Sequence, residues 1–167
     1  VLDWSERAGV GAVTLWAMSI ENLGRPPSET SAIEDVVAEE LRLIVPEARR
    51  RGWRLRGIGR RELLDPALQE RLAAIETETE NNRGLTVQVA MGYGGREEIV
   101  DALRRWARAP EIRERPAEEA LATLDPEDLR PYFYGADLPE PDLILRTSGE
   151  VRLSGFLLWQ SVHAEFY

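Results

Sequence analysis

Two arginines and a serine lie close together near the end of the sequence, in the segment RTSGEVRLSG. Arg152 and Ser154 follow Arg146 by six and eight residues, and we expect Ser154 to begin a short helix. Guanidinium groups, a serine hydroxyl and the N–H groups of a helix start suit a diphosphate. An apolar run, FLLWQ, follows directly, which suggests that this anion carries a hydrocarbon chain. The alternative is that both arginines pair with carboxylates such as Glu150, and the spacing alone favours neither.

Two further sets of polar side chains could take part in chemistry. Glu21, Asn22 and Arg25 cluster at the end of a predicted strand, although an ordinary polar turn explains them about as well as a functional site does. Glu165 is a carboxylate within an apolar stretch, and a buried carboxylate is costly unless it is paired or bound to a metal. Glu165 is therefore a candidate Mg²⁺ ligand, with an ion pair to an arginine as the equal alternative.

The composition limits the kinds of partner that the protein can bind. The formal net charge is -9 over 167 residues, which argues against a broad nucleic-acid-binding face, because a phosphate backbone needs a basic surface. Any anion site must therefore be local, and all 21 basic residues are arginine. The sequence has no cysteine, no apolar run long enough to span a membrane and no recognisable signal peptide, so we expect a cytoplasmic protein.

The hydrophobic pattern predicts strands that alternate with amphipathic helices. Ser31 and Glu34 form a capping-box pattern for a helix that ends at Gly52, and Asp65 precedes a proline at the start of another helix. Short apolar or alternating runs predict strands at 12–18, 53–59, 85–91 and 142–145. This alternation is typical of an α/β fold with a mostly parallel central sheet flanked by helices.

Three polar loops follow predicted strands, at 19–29, 92–98 and 146–155. Parallel strands end at the same edge of a sheet, and ligands of open α/β folds bind at that edge. We therefore expect the three loops to lie together. The segment GYGGREE in the second loop lacks the G-x-G-x-x-G spacing, and no G-K-[ST] occurs in the chain, so a nucleotide-binding module is disfavoured.

Three segments together resemble the cis-prenyltransferases, the family that includes undecaprenyl diphosphate synthase. They are SIENLGRP, GYGGREEIVDA and PDLILRTSGEVRLSGFLLWQSVHAEFY, and they lie in register over nearly the whole chain. The resemblance implies an α/β enzyme that condenses isopentenyl diphosphate with an allylic diphosphate, such as geranyl or farnesyl diphosphate, and forms a cis double bond. It also implies Mg²⁺ as cofactor and a homodimer. Peripheral contact with a membrane is left open: the product is lipid-like, but the sequence has no evident amphipathic basic helix.

The resemblance also implies roles for particular residues. Arg146, Arg152 and Ser154 match the positions that hold isopentenyl diphosphate, and Glu165 matches a carboxylate associated with Mg²⁺. A second set of residues matches the loop beside the reacting substrates. In that loop Asn22 and Arg25 are implied as catalytic, and Ser19, Glu21 and Arg25 as substrate-binding.

The sequence departs from the family pattern in three respects. The family's N-terminal motif of the form I-M-D-G-N-x-R-W and its arginine-rich C-terminal tail do not occur in residues 1–167, which we expect to form a single domain of a longer enzyme. Leu23 stands where many members carry tryptophan, and Gly92 stands where many carry asparagine. An alternative function is a non-catalytic subunit of a heteromeric prenyltransferase, since some relatives of that kind lack the Asp-Gly-Asn motif.

Overall fold

The computed structural model describes residues 1–150 and 152–167, which divide into two compact units, residues 1–93 and 94–167. The first unit contains three strands, β1 (Ala12–Ser19), β2 (Arg54–Ile58) and β3 (Thr86–Tyr93). Its helices are α1 (Leu2–Arg7), α2 (Ile20–Leu23), α3 (Pro27–Arg51) and α4 (Pro66–Thr79), and one turn of 3-10 helix covers Arg61–Leu63.

The three strands of the first unit form a parallel sheet in the order β1-β3-β2. Strand β3 is central, and its side chains are buried almost throughout, as expected for an inner parallel strand. The register aligns Ser19 at the end of β1 with Tyr93 at the end of β3. The loops after these two strands therefore leave the sheet at the same edge, as the sequence predicts.

The core of the first unit lies between the sheet and two helices. Helix α3 contacts β1, and α4 contacts β2. The apolar face predicted for α4 is buried, and it packs with alternate residues of β3 in one cluster that includes Leu68, Leu72, Ile75, Val87, Val89 and Met91. This arrangement confirms the α/β class with a parallel sheet and helices packed against it.

Helix α3 begins five residues earlier than its capping-box pattern predicts. Its N-cap is Pro26 and not Ser31, and its first residue is Pro27, where the fixed φ of proline is already helical. The Glu34 carboxylate instead accepts a hydrogen bond from the backbone N–H of Asp65 (2.8 Å). The end of the helix at Gly52 is confirmed, with φ +68.

Helix α1 is held to the rest of the first unit by the carboxylate of Glu6. Glu6 accepts hydrogen bonds from Trp53 Nε1 (2.7 Å) and from Arg51 Nη1 (2.6 Å). The Trp53 hydrogen bond, followed by the Arg51 hydrogen bond, holds the pKa of Glu6 below its ordinary value. These contacts join α1 to the end of α3 and the start of β2.

In the second unit the predicted fourth strand forms a separate small sheet. Strand β4 (Leu143–Ile144) pairs in parallel with β5 (Glu165–Phe166), so the prediction of one sheet containing all four strands is wrong. The helices described in this unit are α5 (Gly95–Trp106), α6 (Pro110–Arg113), α7 (Ala117–Ala122) and α8 (Pro126–Leu129), with one turn of 3-10 helix at Arg130–Tyr132. Ala102, Trp106, Ala120, Leu129 and Phe133 form its buried cluster.

We expect Gly59→Ala to destabilise the protein more than a substitution at another glycine with positive φ. Gly59 has φ +111, and a Cβ placed on it would overlap the Met91 carbonyl oxygen of β3. Gly9 has φ +78 with no atom within 4 Å of a Cβ, so Gly9→Ala is a matched control. Urea unfolding should show a loss of about 3 kcal/mol for Gly59→Ala and about 1–2 kcal/mol for the control. Equal losses would contradict the role of close packing at Gly59.

Candidate functional site

The loop after β1 is fixed by a capping box at the start of α2. The backbone N–H of Asn22 donates to Ser19 Oγ (3.3 Å), and the backbone N–H of Ser19 donates to Asn22 Oδ1 (2.9 Å). Reciprocal bonds of this kind satisfy N–H groups that a helix start leaves without a partner. The Asn22 amide is therefore oriented by its oxygen, while its Nδ2 group takes no part in the cap.

The remaining candidates of this loop lie in the same turn. Thr30 Oγ1 donates to the carbonyl oxygens of Asn22 (3.1 Å) and Arg25 (3.4 Å), which closes the turn between α2 and α3. The guanidinium of Arg25 lies 3.6 Å from Glu29, and both side chains are more than half exposed. Glu21 is exposed as well. The four candidates of this loop thus lie in one turn: Ser19, Glu21, Asn22 and Arg25. The capping box gives Ser19 and Asn22 a structural role.

The two positions at which the sequence departs from the family pattern lie next to each other in the first unit. Gly92 has φ +56, a conformation that asparagine tolerates better than most residues. A Cβ on Gly92 would lie 3.4 Å from Leu23 Cδ1 and 3.0 Å from the Arg60 carbonyl oxygen. A larger residue at 92 would therefore press on the side chain at 23, so the two departures affect the same small volume.

In the second unit, the loop after β4 gathers the predicted diphosphate ligands around Arg146. The Nε of Arg146 donates to Ser148 Oγ (3.1 Å), and its Nη1 donates to Ser154 Oγ (2.8 Å) and the Arg152 carbonyl oxygen (2.5 Å). Arg146, Arg152 and Ser154 are thus brought together as their spacing suggests. Their role in binding an anion remains a prediction.

Both arginines are paired with Glu150, as the alternative in the sequence analysis proposed. Arg146 Nη2 bonds to Glu150 Oε2, Arg152 Nη2 donates to Glu150 Oε1 (2.6 Å), and Arg152 Nε donates to Glu150 Oε2 (3.2 Å). The side chains are 30% exposed for Arg146, 42% for Glu150 and 67% for Arg152, so the cluster is open to solvent. The pairing leaves one net positive charge at the surface of an acidic protein.

The short helix predicted to begin at Ser154 does not form. Consecutive turns run from 154 to 163, because Ser154 (φ +51), Gly155 (φ +92) and Leu157 (φ +46) all have positive φ, which a right-handed helix does not permit. The Gly155 carbonyl oxygen instead accepts a hydrogen bond from the backbone N–H of Gly95 (3.0 Å) at the start of α5. The candidate anion site therefore has no helix N-terminus of its own.

A buried carboxylate that the sequence analysis did not identify anchors this loop. Glu98 of α5 is 1% exposed, and its Oε1 accepts hydrogen bonds from Gln160 Nε2 (2.9 Å) and the backbone N–H of Tyr134 (2.8 Å). The sequence carried a signal for it, since Glu98, Ala102 and Trp106 recur every four residues on the buried face of the helix. An acidic residue on that buried helix face predicts a specific hydrogen-bond donor for its carboxylate.

Tyr134, which supplies one of these hydrogen bonds through its backbone, is itself held by packing. Its ring lies 4.6 Å from the guanidinium carbon of Arg105, which is a cation–π distance. Burial raises the pKa of the Tyr134 phenol, and the nearby Arg105 partly opposes that effect. Burial therefore favours the neutral form of the Tyr134 phenol.

Glu165 is exposed, so the premise that it is a buried carboxylate is wrong. It lies in β5, whose pairing with β4 is continued by a hydrogen bond from the backbone N–H of Arg146 to the Tyr167 carbonyl oxygen (2.8 Å). The candidate metal ligand thus sits on the strand beside the one that leads into the arginine loop. Among residues 1–150 and 152–167, no three His, Cys, Asp or Glu side chains are grouped so that they could hold a metal ion.

Fold and site together define an α/β protein with a parallel sheet and an arginine–hydroxyl cluster. A family model described as "Putative undecaprenyl diphosphate synthase" matches residues 1–167. The isoprenyl transferase of Thermus thermophilus is 44% identical over 169 residues, which cover 100% of this chain and 64% of that protein. The (2Z,6E)-farnesyl diphosphate synthase of Thermobifida fusca is 42% identical over 167 residues, with coverages of 100% and 64%.

Solved structures agree with these relatives. Lavandulyl diphosphate synthase from Lavandula x intermedia, solved in complex with dimethylallyl diphosphate, matches with a TM-score of 0.88 and 29% sequence identity, over 100% of this chain and 71% of that one. The chain therefore belongs to the undecaprenyl diphosphate synthase family, and the resemblance to cis-prenyltransferases is confirmed. It spans 64% of the length of each of the two curated relatives.

We expect Glu98→Ala to lower the free energy of unfolding by about 3 kcal/mol, because two partly buried donors lose their buried acceptor. Glu98→Gln retains Oε1 and should lose about 1 kcal/mol. Glu97→Ala, which removes the neighbouring carboxylate on a more exposed face, should stay within about 0.5 kcal/mol of the parent. Chemical denaturation of the three variants provides the measurement, and a Glu98→Ala loss no larger than that of Glu97→Ala would contradict the anchoring role.

Proposed function

We propose that the protein is a cis-prenyltransferase that condenses isopentenyl diphosphate with an allylic diphosphate, geranyl or farnesyl, to give a Z-isoprenyl diphosphate. Membership of the family and the names of the relatives support this activity. The observation that carries it is the cluster of Arg146, Arg152 and Ser154, which presents two guanidinium groups and a hydroxyl on one open loop. Such groups suit a diphosphate.

In this proposal the chain's own residues bind and orient the substrates. The reaction breaks the C–O bond between the allylic group and its diphosphate, forms a C–C bond to the isopentenyl unit and releases one proton from that unit. Arg146, Arg152 and Ser154 hold the isopentenyl diphosphate. Asn22 and Arg25 act beside the reacting groups, with Ser19 and Glu21 in the same loop, and the capping box fixes the direction of the Asn22 Nδ2 donor.

The cofactor in this proposal is Mg²⁺, held in part by Glu165. The ion commonly binds through one or two carboxylates plus substrate phosphates and keeps several waters, so it does not need a cluster of three protein ligands. The single exposed carboxylate of Glu165, beside the arginine loop, fits this mode of metal binding. When bound, Mg²⁺ would stabilise the negative charge that develops on the departing diphosphate.

The proposal also includes a homodimer, a cytoplasmic location and peripheral contact with a membrane through the product. Within the described part of the chain, no helix is long and apolar enough to cross a membrane. The net charge of -9 is the reason for leaving nucleic acid out of the proposed partners. A non-catalytic subunit is not favoured, because the relatives carry the names of enzymes.

An elongation assay tests the activity. The protein expressed from its complete gene is incubated with Mg²⁺, labelled isopentenyl diphosphate and geranyl or farnesyl diphosphate, and the products are separated by chain length. Formation of longer labelled diphosphates is the expected result. Absence of product with both allylic substrates would overturn the proposal in favour of the non-catalytic subunit.

Removal of either arginine should weaken the binding of isopentenyl diphosphate. We expect Arg146→Ala and Arg152→Ala each to cost about 1.5–3 kcal/mol in affinity, the value of a hydrogen bond to a charged group. Arg104→Ala is the control, because Arg104 is also exposed (61%) and also pairs with a carboxylate, Asp101 (3.1 Å). Calorimetric titration gives the affinities. Unchanged affinity in both variants would remove these residues from the binding site.

Asn22→Asp should separate the capping role of Asn22 from a catalytic one. An aspartate oxygen can still accept from the Ser19 N–H, so the cap and the unfolding free energy should be retained. The substitution removes the Nδ2 donor, and loss of one positioned donor typically lowers kcat by about 10²–10³. Steady-state kinetics and thermal unfolding are measured together, and an unchanged kcat would show that Asn22 serves the cap alone.

A further inference from the structure

Glu150 occupies the hydrogen-bonding edges of both arginines at once. Its Oε2 bonds to Arg146 Nη2 and accepts from Arg152 Nε (3.2 Å), while its Oε1 accepts from Arg152 Nη2 (2.6 Å). The Arg152 guanidinium donates to both oxygens of this carboxylate. An anion that binds both guanidinium groups must therefore compete with Glu150 for the same N–H groups.

The cluster is built so that Glu150 can leave without disturbing the rest of it. Arg146 is held independently by the hydroxyl of Ser148 through Nε (3.1 Å) and by Ser154 through Nη1 (2.8 Å), so its position does not depend on the carboxylate. Glu150 is 42% exposed, and water can solvate it when it turns outward. Ion pairs at this degree of exposure contribute little to stability, and a more highly charged anion can replace them.

We propose that Glu150 is an internal competitor for the diphosphate: it fills the arginine site when that site is empty and is displaced when a diphosphate binds. The inference rests on the proposed function, since it assumes that Arg146 and Arg152 bind the diphosphate. The carboxylate carries one negative charge and two oxygens. A diphosphate carries more charge and two phosphoryl groups, so it satisfies both guanidinium forks at once.

Competition with Glu150 raises the concentration that any anion needs to occupy the site. Displacement of Glu150 costs the same whichever anion enters, so each dissociation constant is raised by the same factor. Anions that bind the arginines weakly, such as carboxylates and monophosphates, are then excluded at concentrations at which a diphosphate still binds. The same cost lowers the affinity for a diphosphate and speeds its release. Glu150 therefore lowers the affinity of this loop for anions in exchange for faster release and for lower occupancy by weakly bound anions at a given concentration.

The test uses inorganic pyrophosphate as the probe and Glu150→Gln as the variant, in protein expressed from the complete gene. The amide cannot form ion pairs with the arginines, so we expect pyrophosphate to bind about 10-fold more tightly, with a similar gain for inorganic phosphate. Glu127→Gln is the matched control. It removes one negative charge from an exposed carboxylate 3.5 Å from Arg130, and it should leave both affinities unchanged.

Arg152→Ala distinguishes failure of this inference from failure of the proposed function. If the parent binds pyrophosphate and Arg152→Ala weakens that binding, the site stands, and an unchanged or weaker affinity of Glu150→Gln then overturns the competitor role alone. If Arg152→Ala binds as the parent does, the anion does not use this cluster, and the proposed diphosphate site falls together with the competitor role. An equal gain in Glu127→Gln would attribute the effect to net charge and would also overturn the competitor role.

Discussion

The parallel pairing of β3 with β1 on one side and β2 on the other is the constraint on which the first unit depends. It brings the ends of β1 and β3 to one edge, where Ser19 lies opposite Tyr93. Parallel strands need crossover connections, and α3 and α4 supply them while they bury the apolar side of the sheet. The loop that holds Asn22 begins directly at this edge. Its geometry is therefore a consequence of strand register.

The second unit depends on a different kind of interaction, a buried carboxylate that accepts hydrogen bonds from two separate segments. Glu98 binds the backbone before β4 through Tyr134 and the segment after the arginine loop through Gln160. The neighbouring Gly95 N–H holds Gly155 in the same loop. The start of α5 thus holds the segments on both sides of the arginine loop through Tyr134, Gly155 and Gln160.

Local patterns in the sequence predicted much of this structure, and long-range contacts explain where they did not. The strands of the first unit, the Gly52 helix end and the Asp65 cap follow from short-range preferences, and they are confirmed. The pairing of β4 with β5 joins segments about twenty residues apart, which no local pattern encodes. Ser154 does not begin a helix, and the Gly155 carbonyl oxygen accepts its hydrogen bond from Gly95, far away in the sequence.

The candidate site was predictable in its residue types but not in its charge balance. The spacing of Arg146, Arg152 and Ser154 was sufficient to suggest that they meet, and they do. Whether Glu150 would point toward them or into solvent depends on side-chain rotamers, and the same sequence permits both. The burial of individual carboxylates was predicted least well: Glu165 was expected to be buried and is exposed, whereas Glu98 is buried and was not identified. Hydrophobic neighbours in sequence do not determine which face of a two-residue strand is covered.

The three positive φ angles at Ser154, Gly155 and Leu157 also limit how this loop can change in length over evolution. Each such conformation belongs to one place in the chain, and the Gly155 carbonyl must meet the Gly95 N–H. An insertion or deletion of one residue before Gly155 would replace this glycine, at φ +92, by a residue that carries a Cβ. Natural variation in this loop should therefore take the form of substitutions at constant length.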